Sequence, residues 1–161
     1  MTERPHAGET QRVLVWDALR VTDTAARIPF VDYLVLEGEP HLVASECTEC
    51  GARFFDRRNA CAGCGATEFK KVAVATEGEV RAFTIVSMAA PGIPVPFVAA
   101  VVDCAGTSVR ANLINVPPDP EHVQMGMKVR LATYVMGTDS AGTDAIGFGF
   151  EPLGPSGPSS G

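Results

Sequence analysis

The stretch that decides the fold of this chain is Cys47-Thr48-Glu49-Cys50-Gly51 followed by Cys61-Ala62-Gly63-Cys64-Gly65. Each Cys-x-x-Cys turn aims two thiolates at one point, and the glycine behind it adopts backbone geometry that a residue with a Cβ resists. Two such turns close a tetrahedral site of four sulfurs. The pattern predicts that one structural Zn²⁺ is bound by Cys47, Cys50, Cys61 and Cys64, with no coordination position left open for catalysis.

Two other uses of cysteine pairs are possible in principle, a disulfide and an iron site. The N-terminus has no apolar signal-peptide core, so we expect a cytoplasmic location, where thiols stay reduced and paired cysteines serve as metal ligands. Iron would make the chain an electron carrier. The ten residues between Cys50 and Cys61 suit a short hairpin, and nothing in the sequence indicates a redox partner. Zinc is therefore the favoured metal.

The composition indicates a packed domain and excludes some partners. The 161 residues are 46% hydrophobic and carry a net charge of -6. A nucleic-acid-binding protein usually presents a basic face, because phosphate neutralisation drives its affinity. No apolar run reaches the roughly 18 residues of a membrane span. We therefore expect neither nucleic acid nor a membrane as the partner.

Turn residues alternate with β-rich runs after the second cysteine pair. Five strands are predicted at residues 79–86, 97–102, 108–114, 129–135 and 146–150, with a turn of prolines at 117–122. Five strands with a connection between the third and fourth fit an OB-fold barrel. Ribbon strands are predicted at residues 42–44, around Phe54-Phe55, and at 69–74. A short helix is predicted at residues 29–36, with Pro29 at its first position and Gly38 as its stop.

The predicted fold class is mainly β: an N-terminal helical segment, a rubredoxin-like zinc ribbon and a C-terminal five-stranded OB-fold barrel. Residues 1–28 form an N-terminal arm that we expect to be partly disordered, and its apolar run at 13–21 fits neither the helical nor the strand period. The helix and ribbon occupy residues 29–75, and the barrel occupies 76–153. Residues 154–161 form a flexible tail whose Gly/Pro/Ser sequence resembles a vector-derived one.

Three further features are open to two interpretations each. Basic residues cluster in and just after the ribbon, where they are either a solvated face that offsets the tetrathiolate or a phosphate-binding patch: Arg53, Arg57, Arg58, Lys70 and Lys71. The proline-rich loop at 91–96 is either a docking element or a plain connection. Cys104 is expected to be a small core residue, since no local base would make it a nucleophile.

With ribbon and barrel in order, the chain resembles the zinc-ribbon plus OB-fold family catalogued as domain of unknown function thirty-five, whose members are acyl-CoA-associated proteins. The resemblance extends from about residue 29 to 152. Family members carry Phe-Pro-Pro-Arg between the knuckles, where this chain has Phe54-Phe55-Asp56-Arg57. Besides the cysteine motifs, the resemblance rests on short segments spread along the chain: Glu37-Gly38, Leu42-Val43, Phe54, Arg57, Gly78-Glu79-Val80, Phe83-Thr84-Ile85-Val86, Pro96-Phe97-Val98, Asn112-Leu113 and Gly126-Met127-x-Val129.

The resemblance implies a non-catalytic accessory subunit that supports a thiolase-type enzyme, or a related acyl-CoA hydratase or aldolase, and helps to shape its CoA entrance. CoA or acyl-CoA would then be bound jointly with the partner, with Arg53, Arg57 and Arg58 as contacts to the CoA phosphates. Two alternatives stay open at this stage. One is a single-stranded nucleic-acid-binding OB module with a zinc ribbon, and the other is a stand-alone acyl-CoA enzyme.

Overall fold

The computed structural model of the protein describes residues 26–154, which form two β-sheets and, within that range, no helix. The strands are, in chain order, β1 (Arg27–Pro29), β2 (Leu34–Val35), β3 (His41–Cys47), β4 (Arg53–Phe54), β5 (Phe69–Ala73), β6 (Glu77–Val86), β7 (Phe97–Cys104), β8 (Thr107–Leu113), β9 (Lys128–Thr138) and β10 (Asp144–Pro152).

Strands β6 to β10 close into a barrel. The sheet order is β10-β8-β7-β6-β9, and β9 pairs again with β10. All these pairings are antiparallel except that of β8 with β10, which is parallel at Leu113 and Phe150. Closure removes the open edges that an isolated sheet would expose. The five predicted barrel strands are confirmed, and β1 adds a parallel edge strand to β10.

The ribbon is a small sheet built around β3. Strands β2 and β4 pair with one side of β3, and β5 pairs with the other. The strands predicted at residues 42–44 and 69–74 are confirmed, and Phe54 lies in β4 as predicted. The next residue, Phe55, lies beyond the end of β4.

One hydrophobic core extends through both sheets. Val80, Val98 and Val102 are fully buried inside the barrel. The same cluster includes Leu42 and Ala44 of the ribbon strand β3. Ribbon and barrel therefore bury apolar surface against a common core, which favours cooperative folding of the two.

The predicted helix over residues 29–36 is wrong. Pro29 ends the extended strand β1, and a tight turn follows in which the Leu34 amide donates to the Val31 carbonyl at 3.1 Å. Leu34 and Val35 then pair with β3. Leu34 is only 2% exposed, so burial against the ribbon outweighs the weak helical spacing of Phe30 and Leu34. Gly38 lies in the connection between β2 and β3 and stops no helix.

Some predictions concern residues outside the described range. They are the character of residues 1–25, including the apolar run at 13–21, and that of the tail at 155–161. The predicted domain boundaries stay predictions. Residues 26–154 contain no helix that is long and apolar enough to cross a membrane.

Candidate metal centre and the cleft beside it

The four cysteine sulfurs converge at the end of the ribbon. Cys47 is the last residue of β3, Cys50 follows in the turn, and the second pair lies on the loop between β4 and β5. All four Sγ atoms lie within 4.8 Å of one another. The Cys50–Cys61 distance is 3.4 Å and the Cys47–Cys64 distance is 3.7 Å. Tetrahedral Zn²⁺ with Zn–S bonds of about 2.3 Å needs sulfurs about 3.8 Å apart, so these residues fit zinc.

The two knuckles repeat the same backbone hydrogen bonds. The Gly51 amide donates to the Cys47 carbonyl at 3.0 Å, and the Gly65 amide donates to the Cys61 carbonyl at 2.8 Å. Both glycines have positive φ, 72° and 78° respectively. A residue with a Cβ is strained in this conformation, which explains why glycine follows each second cysteine.

Electrostatics favour a cation among the sulfurs. The Gly63 amide donates to the Cys61 sulfur at 3.4 Å, and this bond is the main reason that the pKa of Cys61 is lowered to about 6. At Cys64 the Ala66 amide favours the thiolate, but the neighbouring Cys50 sulfur and burial raise the pKa to about 12. Four thiolates this close repel one another, and a bound dication removes that repulsion.

A four-sulfur site can cross-link the chain but offers no place for substrate. All four coordination positions of a tetrahedral zinc ion would be filled by protein sulfurs. The ion would supply an electrostatic cross-link between the two knuckles, and the protein residues would determine its position. The arrangement is therefore suited to holding the ribbon together and not to activating water.

Arg53 lies in β4 and forms hydrogen bonds through two of its guanidinium nitrogens. Its Nε donates to a Glu46 carboxylate oxygen at 2.7 Å, and one terminal nitrogen donates to the Thr107 hydroxyl at 2.9 Å. Hydrogen bonds from Arg53 and then Lys70 lower the pKa of Glu46. Thr107 starts β8 and is 3% exposed. Arg53 therefore joins the ribbon to the barrel.

The other two arginines of the basic cluster face a cleft of 360 Å³ beside the ribbon. Arg58 lies with its guanidinium carbon 4.5 Å from the centroid of the Phe54 ring, a cation–π contact. The cleft is lined by Asp32, Tyr33, Ser45, Phe55, Arg57, Arg58, Phe69 and Lys71. It combines cations with aromatic surface, and Asp32 is the one carboxylate in its lining.

Lys71 joins this cleft, whereas Lys70 does not. Lys71 donates to the Ser45 hydroxyl at 3.1 Å, while Lys70 forms an ion pair with Glu46 at 3.1 Å. Adjacent residues of a strand point to opposite faces, and this separates two lysines that look equivalent in the sequence. The alternation of β5 was the signal in the sequence that the two lysines lie on opposite faces, and the pairing with β3 determines which face carries the cleft.

Cys104 and the turn at residues 117–122 have structural surroundings. Cys104 is fully buried, and burial raises its pKa to about 11, with a smaller effect of Asp103. A buried neutral thiol is a poor nucleophile, which agrees with the prediction that Cys104 is a core residue. Asp119 accepts hydrogen bonds from the backbone amides of Glu121 and His122 and from the His122 ring, so its carboxylate caps the proline-rich turn.

Two family descriptions match adjacent parts of the chain. The rubredoxin-like zinc ribbon domain of ChsH2 matches residues 37–70, and the C-terminal OB-fold domain of ChsH2 matches residues 71–134. The chain belongs to the DUF35 family of zinc-ribbon plus OB-fold proteins. The geometry of the four cysteines agrees with the ribbon description, and the closed barrel agrees with the other.

One solved structure that is similar to the chain shows the same fold. The chain is similar to an "Ltp2-ChsH2(DUF35) aldolase", with 24% identity and a TM-score of 0.56 over 70% of this chain and 84% of that one. A DUF35 protein of unknown function from Sulfolobus solfataricus matches with 17% identity and a TM-score of 0.40, over 65% of this chain and 75% of that one. No curated protein matches the chain.

Proposed function

We propose that this chain is a non-catalytic, zinc-binding accessory subunit of an acyl-CoA enzyme, either of the thiolase type or a related hydratase or aldolase. The observation that carries the proposal is family membership: a protein similar in fold is named as the ChsH2(DUF35) part of an aldolase. The closed four-sulfur cluster supports it, because the site most prepared for a metal leaves no position for a substrate.

Zinc acts as scaffold in this proposal. One ion per chain joins the two knuckles and fixes the loop between β4 and β5, which carries Arg57 and Arg58. Structural zinc contributes directly to folding free energy, because the unfolded chain has no preformed site. The ribbon therefore owes its shape, and the placement of its cations, to the metal.

We assign the CoA phosphates to the cleft beside the ribbon. Arg57, Arg58 and Lys71 supply positive charge there, and the Tyr33 and Phe55 rings, 4.9 Å apart between centroids, offer surface on which an adenine could stack. Arg53 is a less suitable phosphate ligand than the sequence indicated, because Glu46 and Thr107 already occupy its guanidinium. The Asp32 carboxylate would repel the phosphates, but the three cations of the lining outnumber it, so the repulsion would affect where the phosphates lie and would not abolish binding.

The outer barrel face argues for a protein partner over single-stranded nucleic acid. An OB fold that binds single strands combines a cationic groove with stacking aromatics on the face of its second and third strands. Here the centres of β7 and β8 present Ala99, Val101, Arg110 and Asn112 outward, which include one cation and no aromatic ring; Phe97, at the start of β7, is the aromatic residue at the end of this row.

Co-purification tests the proposal directly. Tagged native chain should bring down an acyl-CoA enzyme that mass spectrometry identifies, and metal analysis should give about one zinc per chain. The isolated chain should not turn over acyl-CoA, whereas adding it to the isolated enzyme should raise kcat/KM. Turnover by the chain alone, or tight binding of single-stranded oligonucleotides at low salt with no enzyme recovered, would overturn it.

The CoA assignment makes a separate prediction. Reversing the charge of the cleft in the double variant Arg57→Glu with Arg58→Glu should raise the KM of the complex for acyl-CoA about tenfold, since charge-assisted phosphate contacts are lost. An acyl-dephospho-CoA, which lacks the 3′-phosphate, should be less affected. Lys128→Glu, on the barrel away from the cleft, is the control with the same type of charge reversal. Equal KM values for the native chain, the double variant and Lys128→Glu would show that Arg57 and Arg58 are ordinary solvated surface residues.

A further inference from the structure

The outer face of β7 is apolar where a solvated sheet should be polar. An antiparallel sheet with one face in water alternates hydrophobic and polar residues, whereas a continuous apolar run is typical of a strand covered on both faces. The strand begins Phe97-Val98-Ala99-Ala100-Val101-Val102. Val98, Ala100 and Val102 point into the barrel and are buried. Phe97, Ala99 and Val101 therefore point outward, and no part of residues 26–154 fully covers them.

A shallow groove follows from this sequence. Ala99 lies between Thr84 of β6 and Asn112 of β8, and Val101 lies between Ala82 and Arg110. Because these side chains are mostly short, the backbone between them stays open, and a groove of 510 Å³ runs across the three strands. We call it the β6–β8 groove; it is lined by residues 82–84, 99–101 and 110–112.

The apolar surface continues from the groove into the loop between β6 and β7. Val86 pairs with Phe97 at the base of this loop, one outward row beyond Thr84 and Ala99. The loop then exposes Met88 at 87%, Ile93 at 52% and Val95 at 44%. Large contiguous apolar patches of this kind mark interaction sites on proteins. The proline-rich loop and the groove thus form one surface.

Charge at the other end of the groove specifies the partner. Arg110 is exposed on β8 and belongs to none of the ion pairs among residues 26–154, whereas nearby Arg81 pairs with both Glu79 and Asp103. The residues that line the groove include no carboxylate. Two copies of this chain meeting groove to groove would bring short side chains onto short side chains, and the groove lining would offer Arg110 no carboxylate. The complementary surface has large aliphatic side chains and a carboxylate.

We propose that the β6–β8 groove, together with the loop at residues 87–96, is the surface on which the acyl-CoA enzyme docks. The enzyme's segment places large aliphatic side chains over Ala82 and Ala99 and sets a carboxylate against Arg110. This inference rests on the proposed accessory function and adds the location of the interface. The prolines of the loop keep its apolar side chains presented with little entropy left to lose on binding.

Binding of variants to one identified enzyme tests the inference. The probe is the acyl-CoA enzyme that accompanies the tagged native chain, identified by mass spectrometry and then purified alone. Ala99→Arg should raise Kd at least about tenfold, because the added side chain fills the groove and buries a charge. Arg110→Glu should do the same by placing two like charges together. Gln124→Arg, an exposed position on the connection between β8 and β9, is the charge-matched control and should bind like the native chain.

Each outcome decides something different. Circular dichroism and zinc content, unchanged in the variants, exclude misfolding, and Arg110→Glu alters an exposed side chain outside the core. If the enzyme binds native chain, Ala99→Arg and Arg110→Glu equally well, the docking surface is wrong while the accessory function stands. If the native chain is a dimer that Ala99→Arg dissociates, the groove is a contact between copies and the inference is wrong. If no acyl-CoA enzyme accompanies the native chain, the proposed function is wrong and the inference with it.

Discussion

Gly78 shows how one missing side chain shapes the barrel. It lies at the start of β6, where that strand crosses close to β7. An added Cβ would lie 2.6 Å from the Asp103 carbonyl oxygen and 2.6 Å from a Val102 methyl group. The carbonyl belongs to a strand in the middle of the sheet and has no freedom to retreat.

Gly78→Ala should therefore destabilise the protein, by about 1–3 kcal/mol, because the crowding forces β6 and β7 apart. Urea unfolding at neutral pH measures this as a lower midpoint. Gly137→Ala is the matched control: Gly137 also lies in a strand, but an added Cβ there meets nothing within 4 Å. A Gly78→Ala midpoint equal to that of Gly137→Ala would show that the barrel absorbs the methyl group.

Glu151 makes part of the stability dependent on pH. Its carboxylate accepts hydrogen bonds from Asn115 at 2.6 Å and from Arg130 at 2.8 Å, and these two contacts, Asn115 first, lower its pKa in the folded protein. A folded-state pKa below the unfolded value of about 4.3 contributes stability that is present above that value and is lost as the pH falls through the folded pKa.

Glu151→Gln should consequently have a lower urea midpoint than the native chain at pH 7, and the difference should shrink as the pH falls below about 4. Comparing the two proteins at each pH cancels the effects of all other groups. Glu68→Gln is the control, since Glu68 forms no ion pair within residues 26–154. A difference that stays constant from pH 7 to pH 3 would contradict the role assigned to Glu151.

At the scale of elements, the β7–β8 hairpin carries an unusual turn residue. Ala105 and Gly106 form its two-residue loop, and their φ angles are 50° and 85°. Two positive φ angles define the type I′ turn that matches strand twist, for which Asn-Gly is the preferred pair. Alanine is strained in this conformation by about 1 kcal/mol.

Ala105→Asn should relieve part of that strain and stabilise the protein by about 0.5–1 kcal/mol, which thermal unfolding detects as a higher Tm. Gly106→Ala makes the opposite change at the neighbouring position and should lower Tm. If neither substitution changes Tm, Ala105 and Gly106 do not form a type I′ turn with positive φ at both residues.

The barrel strands were predictable from the sequence, whereas the segment at residues 29–36 was wrongly predicted to be a helix, and one physical reason explains both. The barrel strands are bounded by glycine and proline and contain β-branched runs, so local sequence and tertiary structure agree. Residues 29–36 contain Phe30 and Leu34 at helical spacing, but also Val31 and Val35, which favour strands. Pairing of Val35 with His41 decides between these local preferences, and that contact is invisible in the segment itself.

The predictions for the candidate site succeeded where the information is local and failed where it depends on strand pairing. Cysteine spacing within each knuckle is local information, and it predicted the convergence of sulfurs that the structure shows. The fate of each basic residue depends on strand register. Arg53 lies opposite Glu46, and Lys71 lies opposite Ser45. No property of the basic cluster in the sequence distinguishes the arginine held by a carboxylate from the lysine that faces a cleft.

At the scale of the whole molecule, the metal centre and the barrel are mechanically connected. Leu42 and Ala44 share a core with the barrel valines, and Arg53 reaches from β4 to the Thr107 hydroxyl at the start of β8. Thr107 is the buried polar residue of the barrel and gains its partner only if the ribbon is in place. Ribbon and barrel should therefore unfold together.

Removing zinc tests that connection. Chelation, or Cys61→Ser, should lower Tm by at least about 10 °C, because the binding free energy of a structural zinc is folding free energy. The unfolding should remain one cooperative transition followed equally by near-UV and far-UV circular dichroism, since the ribbon core is also the barrel core. Cys104→Ser, at a buried cysteine that is not part of the four-sulfur cluster, controls for loss of a buried thiol: it should cost stability without changing zinc content. Two separate transitions, with the barrel's midpoint unmoved by chelation, would show that the barrel stands without the ribbon and that the shared core and the Arg53–Thr107 bond contribute little.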